Sequence, residues 1–477
     1  MSNINGFLNK LVLYVPVKLV PALLTVGFVF FLYRHFPKGD YVLYSVSLSC
    51  SLIIAQLSAT WVGNSFVYFY SGADNKSSLF LNCLLLVALI APFSASLAAV
   101  VGALVSNGEG MALSIWALCV AQILFFFTSS VCQAAFLVVQ QLVAVIVQAV
   151  VQIGLIVALY STAGISYGDA MAALTMGYGV AASFMLFSIY KNLRVSASLF
   201  DFFRFKFDVR SVYGYGSALA PWLLGMLVMA AADRLAIGHL QVFGGDAYLS
   251  LKDLFVGAGG LLSMPLLMLV HPLIIKRFRE GVFESVLIQT SMSFLIIVFS
   301  LLWVTLVVVG FPLFERFTNK PIDVSVGVLL VVYVGVFLNC AAVYVQKRLE
   351  VHRKMRSLAL LSLCCSLVSV GGAYAGAFAG GVGGAAVGVL AGQLMYFVFV
   401  GKSIIRKVSF YRGCVRPFAV SLCMISVGYS LNSLIGLTLP EMAWWVGEAV
   451  WSVVFGLLSM VVLWKGVAWA DFASARL

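Results

Sequence analysis

The chain has 477 residues, of which 63% are hydrophobic and only 10% charged, and its mean hydropathy is +1.08. Soluble domains carry about a quarter charged residues, so a water-exposed globular surface is excluded. The net charge of +12 is scattered over short stretches between apolar runs; this excludes a basic nucleic-acid face, and no nucleic acid is expected as a partner.

Apolar runs of roughly 20 residues recur from end to end, the length a helix needs to cross a hydrocarbon core of about 30 Å. The predicted fold class is therefore all-α: a polytopic membrane protein of about fourteen helices. In chain order they are expected over 11–33, 41–69, 79–105, 111–138, 142–160, 169–190, 212–238, 249–275, 284–309, 323–345, 357–378, 382–401, 417–437 and 442–464. The weakest boundary is between helices four and five, where Gln140 and Gln141 alone interrupt the run. Lys10 precedes the first run without a small-residue cleavage site, which reads as an uncleaved first span.

Lysine and arginine in the connections set the orientation. One side carries 22 of them, and the other only Arg34, Lys38, Arg316 and Lys320. The alternation supports the span count and predicts an inner-membrane protein with both termini in the cytoplasm. The longest internal connection, 191–211, mixes Phe200, Phe202, Phe203, Phe205 and Phe207 with Asp201, Arg204, Lys206 and Asp208. That pattern suits the headgroup zone and predicts an interfacial linker. Eight of the nine cysteines lie within apolar runs, and no CxxC or Cys/His cluster occurs, so neither a metal nor a cofactor is expected.

The two halves of the chain resemble each other. PALLTVGFVFFLYR runs from Pro21 to Arg34, and PWLLGMLVMAAADR from Pro221 to Arg234. Each arginine is followed by a Gly-Asp turn and an aromatic-led helix: Gly39-Asp40-Tyr41 and Gly245-Asp246-Ala247-Tyr248. An even number of helices per half makes these parallel repeats about an axis along the membrane normal, with a central site between them. The expected organisation is an N-terminal lobe (1–190, helices one to six), the linker (191–211), a C-terminal lobe (212–401, helices seven to twelve), and helices thirteen and fourteen with a tail (402–477). Pro16, Pro21 and Pro221 are expected hinges beside the central cavity, where a proline's unpaired carbonyl is tolerated.

These stretches resemble a known family. Ala231-Ala232-Asp233-Arg234-Leu235-Ala236-Ile237-Gly238 followed by Gly245-Asp246-Ala247-Tyr248, the turn from His35 to Ser45, and the glycine-rich 380–388 are similar to motifs of polysaccharide-unit (O-antigen-type) flippases. That family belongs to the multidrug/oligosaccharidyl-lipid/polysaccharide exporter superfamily. The resemblance covers about residues 10–400. It departs where helices four and five meet, since relatives commonly carry arginine where this chain has Gln140-Gln141. The resemblance implies alternating-access transfer of a polyprenyl-diphosphate-linked oligosaccharide from the cytoplasmic to the periplasmic leaflet, serving O-antigen or other surface-polysaccharide (lipopolysaccharide) biosynthesis. The implied partners are this lipid-linked glycan, membrane lipids, a polysaccharide polymerase and a chain-length regulator.

Charge within a span is expensive and marks function or pairing. Lys18, Arg34, Arg234 and Lys252 are the cations expected to meet a diphosphate, and Asp233 and Asp253 are expected to form ion pairs or a gate with them. Gln148 and Gln152, four apart, share a helix face. A drug or cation antiporter of the same superfamily would want buried carboxylates in helices one to six, where Asp40, Asp74, Glu109 and Asp169 all lie in or at connections. A lipid II-type flippase is the other alternative. A membrane enzyme is not expected, because the longest external segment, about 310–322, offers only Glu315, Arg316 and Lys320.

Overall fold

The computed structural model describes residues 26–70, 75–106, 112–193, 219–279, 285–352 and 354–405, together with Gly214 and Gly216. All regular structure among them is helical. Helix α1 occupies 26–35 and is followed by α2 (Asp40–Tyr70), α3 (Lys76–Ser106), α4 (Ala112–Ala134), α5 (Val138–Ala163) and α6 (Tyr167–Leu193). Then come α7 (Ala220–Leu240), α8 (Gly245–Arg279), α9 (Ser285–Thr305) and α10 (Val326–Val351). The last element, Met355–Ile405, is two helices joined at a kink, here α11 (355–379) and α12 (382–405).

The chain is an all-α, multi-pass membrane protein. Nine helical elements among the described residues are long and apolar enough to span a bilayer, the α11–α12 element being one of them. A helix satisfies every backbone N–H and C=O within itself, which is what a medium without water requires. Leu89, Phe93, Leu97, Val100 and Leu104 of α3 and Ile146, Val150, Ile153 and Val157 of α5 are exposed, in keeping with faces turned to lipid. In the first half, α2 packs on α3 and α4, and α4 and α5 pack on α6. Gln148 and Gln152 both meet Gly177 of α6, where a β-carbon would lie 2.4 Å from Gln152 Cγ and 3.0 Å from the Gln148 carbonyl oxygen. Their shared face is a helix-packing face.

Three boundaries differ from the sequence reading. Helices α4 and α5 part at Ala135–Leu137, where Phe136 has φ +57°, so Gln140 and Gln141 fall inside the first turn of α5. The Gln141 amide donates to Ser129 Oγ at 2.6 Å and ties the two helices together; polarity there reflects a packing contact and not a loop. Residues 310–318 are not an open external segment. Beyond Thr305 the backbone continues through a π turn (Leu306–Gly310) into a short helix (Phe311–Thr318) that buries Phe311, Phe314 and Thr318 at helical spacing. The helix expected over 212–238 is interrupted at Leu219, whose N–H bonds the Gly216 carbonyl, and Pro221 then lies in the first turn of α7. Its missing N–H falls where a helix has no internal acceptor.

Equivalent points of the two sequence repeats show like geometry. The turn after α1 contains Gly39 (φ +93°), and the turn after α7 contains Gly244 (φ +78°), one residue before the Gly-Asp pair. His35, ending α1, lies against Tyr160 of α5 with centroids 4.4 Å apart, and His239 of α7 lies against Tyr374 of α11 at 5.9 Å.

By packing, the chain forms two compact units: residues 1–257 with 355–393, and residues 258–354 with 394–477. In the second, Tyr396 donates to Gln346 Oε1 at 2.9 Å, tying α12 to α10, and Gln346 Nε2 donates to Glu350 at 3.1 Å. In the first, α11 and α12 cross at near-contact distance: a β-carbon on Gly376 would lie 2.1 Å from the Gly384 carbonyl oxygen, and one on Gly388 2.1 Å from the Gly372 carbonyl carbon. Small residues let backbones approach in this way. Gly376→Ala should therefore destabilise the protein by about 1–3 kcal/mol through overpacking. Gly371→Ala, with nothing within 4 Å of the new methyl, should be neutral or slightly stabilising; thermal melting in detergent distinguishes them.

Candidate functional site

Four charged side chains meet inside the first unit. Asp233 and Arg234 lie on α7, seven and six residues before its last residue, Leu240. Lys252 and Asp253 lie on α8, seven and eight residues after Gly245. At 1.5 Å per residue they lie about 9 to 12 Å from their helix ends.

The charges pair across the two helices. Lys252 Nζ bridges Asp233 Oδ1, and Arg234 Nη2 bridges Asp253 Oδ1. Each carboxylate also receives a tyrosine hydroxyl: Tyr248 donates to Asp233 Oδ2 at 2.6 Å, and Tyr41 of α2 donates to Asp253 Oδ2 at 2.8 Å. Lys252 Nζ donates additionally to the Ala230 carbonyl at 2.9 Å. Arg234 Nη1 reaches the hydroxyls of Ser45 (3.2 Å) and Ser49 (3.4 Å) on α2. Two cations and two anions thus leave no net charge, which is how buried ions are tolerated. The pairs differ in access. The Asp233 and Lys252 side chains are 1% and 5% exposed, whereas Asp253 and Arg234 retain 12% and 11%; the second pair is the more accessible.

Of the expected site residues, the structure thus brings Asp233, Arg234, Lys252 and Asp253 together. Arg34 is exposed at the end of α1 and is not part of the cluster. Lys18, Pro16 and Pro21, the linker beyond Leu193, and helices thirteen and fourteen lie outside the described residues. Among the described residues no three His, Cys, Asp or Glu side chains could hold a metal. In α2 to α6 the acidic residues are Asp40 and Asp169, each in a first turn.

Four residues of the network were not singled out from sequence: Tyr41, Tyr248, Ser45 and Ser49. The signal for the tyrosines was present in the repeated Gly-Asp motif, where each is the aromatic leading its helix. The serines could not be found, because the face of α2 that meets α7 is not marked by hydropathy.

These features define a polytopic helical membrane fold, and solved structures share it. A lipid II flippase, MurJ, in an inward closed conformation matches with TM-score 0.68 and 13% identity over 94% of this chain and 97% of that one. The MATE multidrug transporter DinF-BH in complex with R6G matches with TM-score 0.57 and 14% identity, over 84% and 95%. A multidrug resistance MATE family transporter of the MOP superfamily, in an inward-facing conformation, gives 0.54 and 11%, over 87% and 95%. No protein-family model matches the sequence, and no curated protein matches it significantly. The likeness is therefore one of fold.

Removing one member of a buried pair strands its partner. Lys252→Met should destabilise the protein by about 3–5 kcal/mol, and the double variant Asp233→Asn/Lys252→Met should recover most of that loss. A denaturation series on the two variants checks this; equal destabilisation by both would show that the pair is not the source.

Proposed function

We propose that this protein is a flippase that moves a polyprenyl-diphosphate-linked oligosaccharide unit from the cytoplasmic to the periplasmic leaflet of a bacterial inner membrane. The observation that carries this reading is the extent of the fold likeness: the flippase matches 94% of the chain at TM-score 0.68, against 84% and 87% at 0.57 and 0.54 for the two MATE transporters. The antiporter reading has less support. Cation coupling wants a carboxylate held ready within the membrane, and Asp233 and Asp253 are already matched by Lys252 and Arg234.

The working parts are two six-helix lobes, 1–190 and 212–401, rocking about a central cavity, with Pro16, Pro21 and Pro221 as hinges. The compact units differ from these lobes because α2 is bonded to α7 and α8, which joins parts of both repeats. Moving a diphosphate across hydrocarbon needs fixed cations to meet it. Lys18 supplies the uncompensated charge and Arg234 the accessible edge of the cluster; Arg34 receives the headgroup at the outer face, and Lys252 is the fourth cation of the pathway, its charge balanced by Asp233. Asp233 and Asp253 form the gate of ion pairs. Membrane lipids, a polysaccharide polymerase and a chain-length regulator are the expected partners, and O-antigen or a related surface glycan is the product served. A lipid II cargo is a second reading, favoured by the same neighbour.

Deletion of the gene should cause the lipid-linked repeat unit to accumulate and surface glycan to be lost in viable cells. Accumulation of the lipid-linked peptidoglycan precursor with lysis would favour the second reading. Unchanged lipid-linked sugars together with altered drug susceptibility would overturn both. In complemented cells, Lys18→Ala should lower surface glycan with protein level unchanged, whereas Arg234→Ala, which strands Asp253, should lower the protein level as well.

A further inference from the structure

The repeated Gly-Asp motif places one aspartate at the start of α2 and another at the start of α8, and the two do different things. Asp40 stays within its own half: its Oδ2 accepts from the Tyr167 N–H, in the first turn of α6, at 3.1 Å. The Asp246 carboxylate instead reaches the other half of the chain. Its Oδ2 accepts from the Gly39 N–H at 2.6 Å and its Oδ1 from the Val42 N–H at 3.0 Å. It thereby caps the N-terminus of α2 from outside, satisfying backbone donors a helix start leaves unpaired. The second copy of the motif thus joins the two halves where the first does not.

Other contacts reinforce the same seam. Lys38 Nζ lies 4.9 Å from the ring centroid of Phe243, linking the two turns. Gly245 leaves no room for a β-carbon, which would lie 2.9 Å from Val42 Cγ2, and Gly238 meets Val46 in the same way at 2.4 Å. Deeper still lie the bonds from Tyr41 to Asp253 and from Arg234 to Ser45 and Ser49. The outer contacts thus cover the approach to the charge cluster along this seam.

We infer that Asp246 is a latch: by capping α2 from the opposite half of the chain it holds the α2–α7–α8 seam closed at the Gly39 end, and these two bonds part when that end opens. The latch is small by design of its chemistry. Two carboxylate-to-amide bonds at a helix start can be replaced by water when the seam parts, so opening leaves no buried donor unsatisfied. The buried ion pairs beneath have no such substitute, so an opening that reaches as deep as Cys50 also rearranges the cluster.

Cys50 reports on the latch. It is buried and lies four residues beyond Val46, on the face of α2 that meets Gly238, about 15 Å along the helix from Asp40. In full-length protein keeping Cys50 as its sole cysteine, a membrane-impermeant maleimide is applied to right-side-out and to inverted membrane vesicles. With Asp246 present, labelling should be slow from both faces. Asp246→Ala should raise the rate about tenfold from one face only, as expected when a local opening becomes more populated, and Asp246→Asn, which keeps one acceptor oxygen, should give an intermediate rise. If Asp246→Ala does not reach the membrane folded, the isosteric Asp246→Asn decides alone. Unchanged labelling in a variant that melts like the parent overturns the latch, and so does an equal rise from both faces, which indicates general loosening. The readout needs no cargo, so the latch can fail while the flippase reading stands, and the reverse.

Discussion

A charge placed inside a bilayer has to be neutralised where it stands, and in this protein that requirement organises the region where the two repeats meet. Asp233 and Arg234 are adjacent on α7, and Lys252 and Asp253 are adjacent on α8. Adjacent residues project about 100° apart around a helix, so one helix cannot pair its own two charges. Only a facing helix with the complementary order can do so, and α8 supplies it, acid to base and base to acid. The register of α7 against α8 is thereby fixed, since a slip of one residue would oppose like charges. Tyr41, Ser45 and Ser49 extend the same requirement to α2, so the polar network also sets the position of the first repeat's second helix.

The neutrality has a functional consequence. A cluster with no net charge does not by itself attract a diphosphate or hold a loose cation. The Arg234–Asp253 pair is the more exposed of the two. In the proposed function the net positive charge that a diphosphate needs comes from outside this cluster, and Lys18 is its proposed source.

Much of the fold was legible because hydropathy and backbone saturation act on long windows. The helices expected over 41–69, 79–105 and 169–190 appear as Asp40–Tyr70, Lys76–Ser106 and Tyr167–Leu193, and the break expected after 378 falls at Gly380–Gly381. Boundaries failed where polarity and geometry separate. Gln140-Gln141 looked like a connection, yet the chain reverses at Phe136, and the Gln141 amide is spent on Ser129. The amphipathic segment Phe311–Thr318 looked like a loop because its charges, Glu315 and Arg316, are concentrated in a short stretch. In the site, the four charges could be named from their depth in apolar runs, and their pairing was foreseen as one outcome. The two tyrosines were visible only as motif letters, and the divergent use of Asp40 and Asp246 was invisible. Equivalent sequence gives equivalent local turns, but which half of the chain a carboxylate reaches depends on tertiary placement.

The central claim is that the pathway carries a lipid-linked diphosphate glycan. Purified protein reconstituted into liposomes with a labelled polyprenyl-diphosphate oligosaccharide tests it directly, with a membrane-impermeant reagent reporting how much glycan is exposed outside. The account predicts that the exposed fraction rises from one leaflet's share to nearly all of the label, and that liposomes carrying Lys18→Ala protein stay close to the protein-free level. An exposed fraction no higher than in protein-free liposomes, while the same vesicles exchange a cationic drug for sodium ions or protons, would contradict it.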